Sequence, residues 1–421
     1  MDAMYYSDAL IVDLDSGKTE EVGFDEVDQA GPGLAAGLAL YEKYKDADPL
    51  VFGSGLLTGT PAPGACLGFV LGGSPLSGEP AAAPLSLFAG AETKLSGFGM
   101  IVVKGASAKP VYLWLHDGVA DLLDASSLWG LDTWQTTDAV RRDMGEGMIQ
   151  VIAIGPAGEA RSDLASFSIN YWSSGDGAAL GAVMGAKNLK AVALRGLGML
   201  DAEEPEQYYR GALELLGNAP AERGLKSLCS AMGAADIDAW LEPMLHRHRS
   251  CFACPSACGA FVKYNEEPSV MVSEGVEEPG MLVTSLAAAL WLEQGGWDAE
   301  PACRAMEAMA RAGVDPVRGA RELAAGPLSD PAAIVDAVKG LQGSQDSGWP
   351  VGESISYGLF GAWVPPLAPQ EEWLAANRAG YVLGICPTYL LVSGIDPGAL
   401  FELCGPAAGL EIDAASIEGM F

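Results

Sequence analysis

Three cysteines lie close together in the segment SCFACPSACG, residues 250–259. Cys251, Cys254 and Cys258 follow a C-x2-C-x3-C spacing, and the chain has no second C-x2-C unit. Zinc sites more often combine paired C-x2-C units or add histidines at finger spacing. An asymmetric triplet completed by one distant cysteine is instead typical of a [4Fe–4S] cluster. The triplet therefore predicts such a cluster, with zinc as the alternative metal.

A [4Fe–4S] cluster needs a fourth thiolate, which must come from another part of the chain. The remaining cysteines are Cys66, Cys229, Cys303, Cys386 and Cys404. Cys386 is the preferred candidate because it lies in the apolar stretch YVLGICPTYLL, with a glycine before it and a proline after it. Cys404, in ELCGPAAG, is the second candidate. Pro255 favours a tight loop over a helix for the first two ligands of the triplet.

Two histidines precede the triplet in the segment LHRHRSC. His246 and His248 could bind a metal, but they alternate with Arg247 and Arg249. This alternation favours an exposed basic edge beside the cluster. Such an edge would suit an acidic electron carrier, because opposite charges steer encounter between partners.

The composition excludes some classes of partner. Among 421 residues, Asp and Glu outnumber Lys and Arg by 55 to 24, which gives a formal net charge of −31. Such a charge argues against binding nucleic acid or an anionic membrane surface. The longest apolar stretch, MLVTSLAAALWL (281–292), is too short and polar to span a bilayer and predicts a buried helix. Clustered cysteines and the lack of a signal peptide at the N-terminus predict a reducing, cytoplasmic location.

The residue pattern of the sequence changes near residues 200–208. Before this point, ALIVDLDSG and GFGMIVVKGASAKPVYLWLHDGVADLL read as short strands separated by turn residues. After it, EEPEQYYRGALELLG, AAALWLEQGG, EPACRAMEAMARAG and PAAIVDAVKGLQG carry apolar residues at the i, i+3, i+4 spacing of helices. We therefore predict an α+β fold in which a β-rich domain (1–204) precedes one or more helical domains (205–421).

Several glycine-rich loops occur in the N-terminal half, but none is a P-loop or a dinucleotide-binding fingerprint. In order they are SGLLTGTPAPGA, SPLSG, DASSLWGLDTWQT, IGPAGEARSDLA and LGAVMGAKNLKAVALRG. Together they resemble the N-terminal domain of the tungsten-containing aldehyde ferredoxin oxidoreductases. The cysteine triplet and the LGIC segment fall where that family places its [4Fe–4S] ligands. The resemblance extends over essentially the whole chain.

This resemblance implies a fold and a set of site residues. The fold would be a β-rich domain of paired twisted sheets that cradles a bis-pterin tungsten cofactor, closed by helical domains. The implied cluster ligands are Cys251, Cys254, Cys258 and Cys386. If a pterin were bound, the contacting residues would include Gly155, Gly181, Gly185, Lys187 and Asp315. The segment SEGVEEPGMLVTSL resembles the family's EGPEYE, which makes Glu274 and Glu277 the catalytic candidates of an active enzyme.

The chain departs from the family at the positions that would bind phosphate. Pro32 stands where the family's GGRG has arginine, and Leu67 replaces the arginine of its G-x-S-R loop. Gly73 replaces a lysine, and Gly177 replaces the arginine of GRGG. Asp176, beside Gly177, adds a negative charge. Arginine's bidentate fork has no apolar substitute, so these changes predict loss of phosphate binding.

Other family positions have changed as well. The leading aspartates of the two pterin loops are Ala310 and Tyr381, and the last glutamate of EGPEYE is Pro279. No histidine follows His248, so the family's proposed proton-transfer histidine has no counterpart. Because the sequence reaches Phe421 soon after the LGIC segment, we expect a C-terminal domain shorter than the family's. The sequence therefore predicts a shortened member without tungstopterin.

The favoured hypothesis is a redox subunit that binds one [4Fe–4S] cluster and acts in electron transfer or as a structural subunit. It would form a homo- or hetero-oligomer, with an active homologue or a larger redox complex as partner, and a ferredoxin-like carrier could exchange electrons with it. The isolated chain is then not expected to be catalytically competent. The alternative is an active tungsten or molybdenum enzyme that oxidises aldehydes or related substrates and reduces ferredoxin. A scaffold that binds zinc is the third hypothesis.

Overall fold

The computed structural model describes residues 8–23, 30–218, 226, 229–230, 234–264, 269–273, 276–344, 358–360 and 370–421. Its N-terminal half contains two six-stranded sheets. The first sheet has the order β2-β1-β6-β3-β4-β5, with β1 and β6 parallel and the other neighbours antiparallel. Its strands are β1 (Asp8–Asp13), β2 (Lys18–Gly23), β3 (Leu50–Ser54), β4 (Gly68–Gly73), β5 (Pro80–Leu85) and β6 (Met100–Lys104).

The second sheet has the order β11-β10-β9-β12-β7-β8, and only β12 and β7 are parallel neighbours. Its strands are β7 (Val111–His116), β8 (Val119–Asp124), β9 (Gln150–Ile154), β10 (Phe167–Ile169), β11 (Trp172–Ser173) and β12 (Leu189–Arg195).

The two sheets share one apolar core. On β1, Leu10 and Val12 join this shared core, whereas Ala9 and Ile11 join a second core on the outer face of the first sheet. This division follows from the two-residue period of a strand, which sends successive side chains to opposite faces. Both faces of the sheet are therefore buried.

Helices cover the sheets and make up most of the C-terminal half. Those of the N-terminal half are α1 (Leu34–Tyr44), α2 (Ala89–Leu95), α3 (Thr133–Met144), α4 (Pro156–Glu159) and α5 (Leu180–Ala186). The later helices are α6 (Pro205–Asn218), α7 (Ile237–Leu241), α8 (Leu286–Gln294), α9 (Ala299–Ala312), α10 (Pro316–Ala324), α11 (Pro331–Leu341), α12 (Gln370–Leu383), α13 (Pro387–Val392), α14 (Pro397–Phe401), α15 (Cys404–Ala408) and α16 (Ala414–Gly419). Short 3-10 turns lie at Lys45–Ala47 and Gly358–Phe360.

Two small sheets interrupt the helical half. Strands β13 (Leu245–Arg249), β14 (Gly259–Val262) and β17 (Met281–Val283) form an antiparallel sheet, with β13 at its edge. Strands β15 (Ser269–Ser273) and β16 (Val276–Pro279) form an antiparallel pair. The triplet of cysteines lies in the loop between β13 and β14, so the first small sheet positions the candidate site.

The predicted fold class is confirmed, since two β-sheets are followed by a mainly helical region. One local prediction was wrong at its start. MLVTSLAAALWL was expected to be helical throughout, but its first residues, Met281–Val283, form a strand that pairs with β14. The helix α8 begins only after Ser285, whose hydroxyl oxygen accepts a hydrogen bond from the Ala288 amide. The domain boundary at 204/205 stays a prediction. Within the described residues, no helix combines the length and apolar content that crossing a bilayer requires.

Candidate metal centre

The triplet lies in a loop whose two ends are joined by sheet pairing. Arg249 at the end of β13 pairs with Gly259 at the start of β14. Within the loop, the Cys254 amide donates to the Cys251 carbonyl oxygen (3.3 Å), and the Cys258 amide donates to Ser256 (3.0 Å). The loop is not helical, as Pro255 predicted. Its tight turns bring the three thiols close enough to affect one another.

Cys386 reaches the triplet through a glycine in the N-terminal half. Cys386 is the residue immediately before α13. Its amide donates to the Gly64 carbonyl oxygen (3.0 Å), while the Gly64 amide donates to the Ala253 carbonyl oxygen (2.9 Å). A single residue thus links the triplet loop to the Cys386 loop by backbone hydrogen bonds on both sides.

Further backbone contacts fix the Cys386 loop. The Leu57 amide donates to the Leu383 carbonyl oxygen (2.7 Å), and the Leu67 amide donates to Gly384 (2.9 Å). At Gly55, an added Cβ would lie 2.0 Å from the Gly384 nitrogen. Glycine is therefore required there for the two loops to approach this closely.

The four predicted ligand cysteines interact with one another. All four are half-buried free thiols. Burial raises the pKa of Cys254, and the other three members of the group raise it further. Burial likewise raises the pKa of Cys258, with added effects of Cys251 and Cys386. Thiolates crowded in this way repel one another, and the positive charge of a bound metal would offset that repulsion.

Cys386 differs from its neighbours in its hydrogen bonds. A hydrogen bond from the Cys66 thiol, together with the amides of Tyr389 and Thr388, lowers the pKa of Cys386 to about 7. The last two donors belong to the first turn of α13. The Cys386 sulfur is thus the member of the group most readily deprotonated among those whose pKa is shifted.

Cys66 is a fifth thiol at this site. Its side chain is 1% exposed and forms hydrogen bonds with Cys251 and Cys386. The sequence identified it only as one of five candidates for the fourth ligand. By contrast, the thiol of Cys404 donates to the Leu400 carbonyl oxygen (3.8 Å) within the helical core, and burial raises its pKa to about 12. The structure thus places Cys386 and Cys66, rather than Cys404, beside the triplet.

The spread of these thiols bears on the kind of metal centre. Among the described residues, no three His, Cys, Asp or Glu side chains gather closely enough to hold one metal ion. Zinc would need four donors around a single ion. In a [4Fe–4S] cube each thiolate binds a different iron, so no single ion has to be held by all four sulfurs.

The glycines predicted near a pterin lie at close backbone contacts. At Gly185 an added Cβ would lie 1.9 Å from the Gly158 carbonyl oxygen, so α5 and α4 touch backbone to backbone. At Gly181 it would lie 2.6 Å from the Ser166 carbonyl carbon, and at Gly155 2.5 Å from Ala312. These contacts account for the glycines by packing alone.

The Asp176 side chain of this chain fills the space before α5. Its carboxylate is fully buried and accepts hydrogen bonds from the amides of Ala178 (3.1 Å), Leu180 (3.2 Å) and Gly181 (2.9 Å). Burial raises the pKa of Asp176 to about 7, and the nearby carboxylate of Asp315 also raises it. Three amides at the start of the LGAVMG helix are thus occupied by a side chain.

The remaining pterin candidates also have internal partners. One Asp315 oxygen accepts from the Val317 amide (2.9 Å), while its Oδ2 is buried with no partner among the described residues. Burial raises the pKa of Asp315 to about 6, against the effect of Arg318. Lys187 Nζ donates to the carbonyl oxygens of Asp48 and Gly105, and burial lowers its pKa.

Two positions where the family has charged residues are apolar in the structure. Leu67 and Tyr381 are each 1% exposed and belong to one apolar cluster. The Tyr381 ring stacks on Phe360 (5.7 Å between centroids) and meets Phe69 edge to face (6.3 Å). Side chains of this chain therefore fill both positions.

The candidate catalytic glutamates and the basic segment 246–249 are described only in part. Glu274 lies outside the described residues, and Glu277 lies on β16 opposite Met271, with its side chain not described. His246 is exposed on the edge strand β13, whereas His248 is half-buried and lies 4.0 Å from Asp238. The Arg247 guanidinium packs on the Phe261 ring (4.7 Å).

The chain is similar to known proteins of one family. Residues 9–196 match the family model described as aldehyde ferredoxin oxidoreductase, N-terminal domain. The chain is 31% identical over 312 residues to the tungsten-containing aldehyde ferredoxin oxidoreductase of Pyrococcus abyssi (strain GE5 / Orsay), covering 65% of this chain and 51% of that protein. It is 29% identical over 235 residues to the aliphatic sulfonate oxidoreductase, WOR-like subunit, of Pyrococcus furiosus (strain ATCC 43587 / DSM 3638 / JCM 8422 / Vc1), covering 50% of this chain and 37% of that protein.

A solved structure shares the fold. The active site complex BamBC of benzoyl coenzyme A reductase, in complex with 1,5 dienoyl-CoA, has a chain that matches with a TM-score of 0.76 and 19% identity, covering 100% of this chain and 87% of that chain. This likeness concerns the fold alone. The chain spans about half the length of the aldehyde ferredoxin oxidoreductases it matches.

Proposed function

This chain belongs to the aldehyde ferredoxin oxidoreductase family, and we propose that it is a redox subunit that binds one [4Fe–4S] cluster and lacks tungstopterin. The observation that carries this proposal is the link through Gly64, whose carbonyl oxygen accepts from the Cys386 amide and whose amide donates to Ala253 in the triplet loop. Four thiols from two segments meet the ligand requirement of a cube. The cluster would supply one-electron transfer, while the chain's loops hold its ligands.

The second part of the proposal concerns the pterin. A phosphate-bearing cofactor needs cations and free amide donors. The buried Asp176 carboxyl accepts from the Ala178 amide before α5 and from the first two amides of that helix, and Asp315 adds a second buried carboxyl nearby. Leu67 and Tyr381 are packed in apolar surroundings. These residues do not fit an anionic pterin, which supports its absence.

A subunit role is supported by the names of similar proteins. One relative is the WOR-like subunit of an aliphatic sulfonate oxidoreductase. We propose that this chain pairs with a catalytically active homologue or a larger redox complex, with a ferredoxin-like carrier as the exchange partner. All eight cysteines are free thiols, which suits a cytoplasmic location.

The second candidate function is an active tungsten or molybdenum oxidoreductase acting on aldehydes. It is favoured by similar proteins from Pyrococcus and Thermococcus, which are tungsten-containing aldehyde ferredoxin oxidoreductases. Aldehyde-dependent reduction of viologen by the isolated chain would support this candidate, and absence of that activity in the iron-loaded chain would favour the redox subunit.

The cluster itself is tested by iron and acid-labile sulfide analysis of anaerobically purified protein, with EPR of the reduced form. We expect about four irons and four sulfides per chain and the signal of a reduced cube. Zinc in place of iron, with no signal after reduction, would overturn the proposal.

A further inference from the structure

Leu87 holds a backbone conformation that leucine rarely adopts. Its φ is +58°, in the left-handed region that glycine and asparagine prefer. Leu87 lies in the short connection between β5, which ends at Leu85, and α2, which begins at Ala89. A residue other than glycine keeps such a φ only where its surroundings fix it, and residues of this kind gather at functional sites. The contacts of its two peptide groups show what fixes it.

Both peptide groups of Leu87 bond to the loop that carries the triplet. The Leu87 amide donates to the Cys251 sulfur (3.3 Å), although the two residues lie 164 positions apart in the chain. The Leu87 carbonyl oxygen accepts from the Phe252 amide (2.9 Å). The rings of Phe88 and Phe252 meet edge to face, with 6.0 Å between their centroids. Leu87 thus makes a two-point contact with a candidate cluster ligand and with the residue that follows it.

The triplet loop is held on its other side by a second contact from the N-terminal half. Ala253 also has a positive φ (48°), and its carbonyl oxygen accepts from the Gly64 amide (2.9 Å). Gly64 and Leu87 therefore fix three consecutive residues of the loop, Cys251 to Ala253. Of these contacts, the one from the Leu87 amide reaches a candidate ligand sulfur.

An amide that donates to a ligand sulfur acts on an iron–sulfur cluster in two ways. It fixes the direction of the sulfur, and it stabilises the added negative charge of the reduced cluster, which raises the reduction potential. The direction of a backbone N–H is set by φ and ψ of the chain. The left-handed conformation of Leu87 is therefore what aims its amide at Cys251.

We propose that Leu87 is a positioning residue of the metal centre, whose left-handed conformation directs its amide at the Cys251 sulfur and whose hydrogen bond raises the reduction potential of the bound cluster. This inference rests on the proposed [4Fe–4S] function and adds to it a residue outside the cysteines. On reduction the cluster gains one electron from the ferredoxin-like carrier, and Leu87 exchanges neither an electron nor a proton.

Three substitutions separate the peptide group of Leu87 from its side chain, which packs beside two apolar cores. Leu87→Gly removes the side chain but keeps the N–H and favours a positive φ. Leu87→Pro also removes the leucine side chain, and in addition it removes the N–H and requires a negative φ. Leu87→Ile keeps the size of the side chain, but a β-branched residue is unsuited to a positive φ.

Asp117→Ile is the matched control for strain at a positive φ. Asp117 has φ +46° but lies in the turn between β7 and β8, where its carboxylate accepts from the Leu197 amide (2.8 Å). Iron content and a dye-mediated potentiometric titration followed by EPR would be measured on each anaerobically purified protein.

We expect Leu87→Gly and Asp117→Ile to hold about four irons per chain at the original potential. The potential of Leu87→Ile should become more negative, and Leu87→Pro should show a larger shift in the same direction or lose its iron. If Leu87→Pro does not fold, Leu87→Ile takes its place in the comparison with Leu87→Gly.

Full iron content at the original potential in Leu87→Pro, or in Leu87→Ile where it takes that place, would overturn the inference. A shift in Leu87→Gly as large as that in Leu87→Pro would also overturn it, because the side chain would then be responsible. So would an equal shift in Asp117→Ile, since strain far from the sulfur would then have the same effect. A lack of iron in the unchanged protein would instead defeat the proposed function itself.

Discussion

The amide of Cys386 donates a 3.0 Å hydrogen bond to the carbonyl oxygen of Gly64, although the two residues lie in opposite halves of the chain. Because the Gly64 amide also bonds the triplet loop at Ala253, this one residue sets the distance between the two sources of ligand. The proposed metal centre therefore depends on a glycine loop of the N-terminal half as well as on the cysteines of the helical half.

Substituting Gly64 by alanine should weaken cluster binding. Gly64 has φ +78°, and an added Cβ would lie 2.6 Å from the Tyr389 ring, which packs beside Cys386. The backbone strain alone costs about 1–2 kcal/mol, and displacement of Tyr389 would add to it. We expect less iron per chain and a lower thermal midpoint in Gly64→Ala.

Gly118→Ala is the matched control for this substitution. Gly118 also has φ +78°, but nothing lies within 4 Å of the position of its added Cβ. We expect Gly118→Ala to lose a similar amount of folding stability through backbone strain while keeping its iron. Equal iron content in the two variants would show that Gly64 does not position the ligands.

The choice of fourth ligand is tested by two serine variants. Cys386→Ser should lose the [4Fe–4S] signal, because a serine oxygen replaces a thiolate that lies beside the triplet. Cys404→Ser should retain about four irons, since the thiol of Cys404 donates to Leu400 within the helical core. EPR after dithionite reduction and iron analysis would distinguish them. The reverse pattern would assign the ligand to Cys404.

Asp176 should make folding stability depend on pH. Burial raises the pKa of Asp176 from its ordinary 3.8 to about 7, so the folded chain binds a proton that the unfolded chain releases between these values. Stability should therefore fall as the pH rises from about 4 to about 7 and then level off. The loss from this carboxyl is at most roughly 4 kcal/mol.

Asp176→Asn should flatten this pH dependence, because an amide does not ionise. The midpoint of urea unfolding at pH 5 and pH 8 would measure it, with Asp330→Asn as the control. Asp330 caps α11 through the Ala333 amide (2.8 Å) but is exposed. A steep decline between the two pH values that survives in Asp176→Asn would contradict the role assigned to its burial. The stability of Asp176→Asn should still fall slightly as the pH rises, because burial also raises the pKa of Asp315.

Much of the fold could be predicted because its periodicities are plain. The helical spacing of EPACRAMEAMARAG corresponds to α9, where Ala302, Cys303 and Met306 are buried. The small sheets were not predicted, since strands such as Met281–Val283 are too short to show a period. In the sequence, that strand is followed closely by the apolar residues that begin α8, so the two looked like one helix.

The candidate site was predictable only in part. The spacing of the triplet identified Cys251, Cys254 and Cys258, and the glycine and proline around Cys386 favoured it. Nothing local in GACL indicated that Cys66 would reach the same place, since a distance of 185 positions along the chain separates it from Cys251. The charge of Asp176 was visible in the sequence, but its three amide partners depend on how the chain enters α5.

The most direct measurement is the metal content of protein produced anaerobically in cells supplied with iron, tungstate and molybdate. We expect about four irons per chain, with neither tungsten nor molybdenum above background, because Leu67 and Tyr381 stand where the resemblance to the family would place an arginine and an aspartate, and the Asp176 carboxyl accepts from three backbone amides at α5. One tungsten or molybdenum per chain, retained through gel filtration, would contradict the account and identify the chain as a complete oxidoreductase.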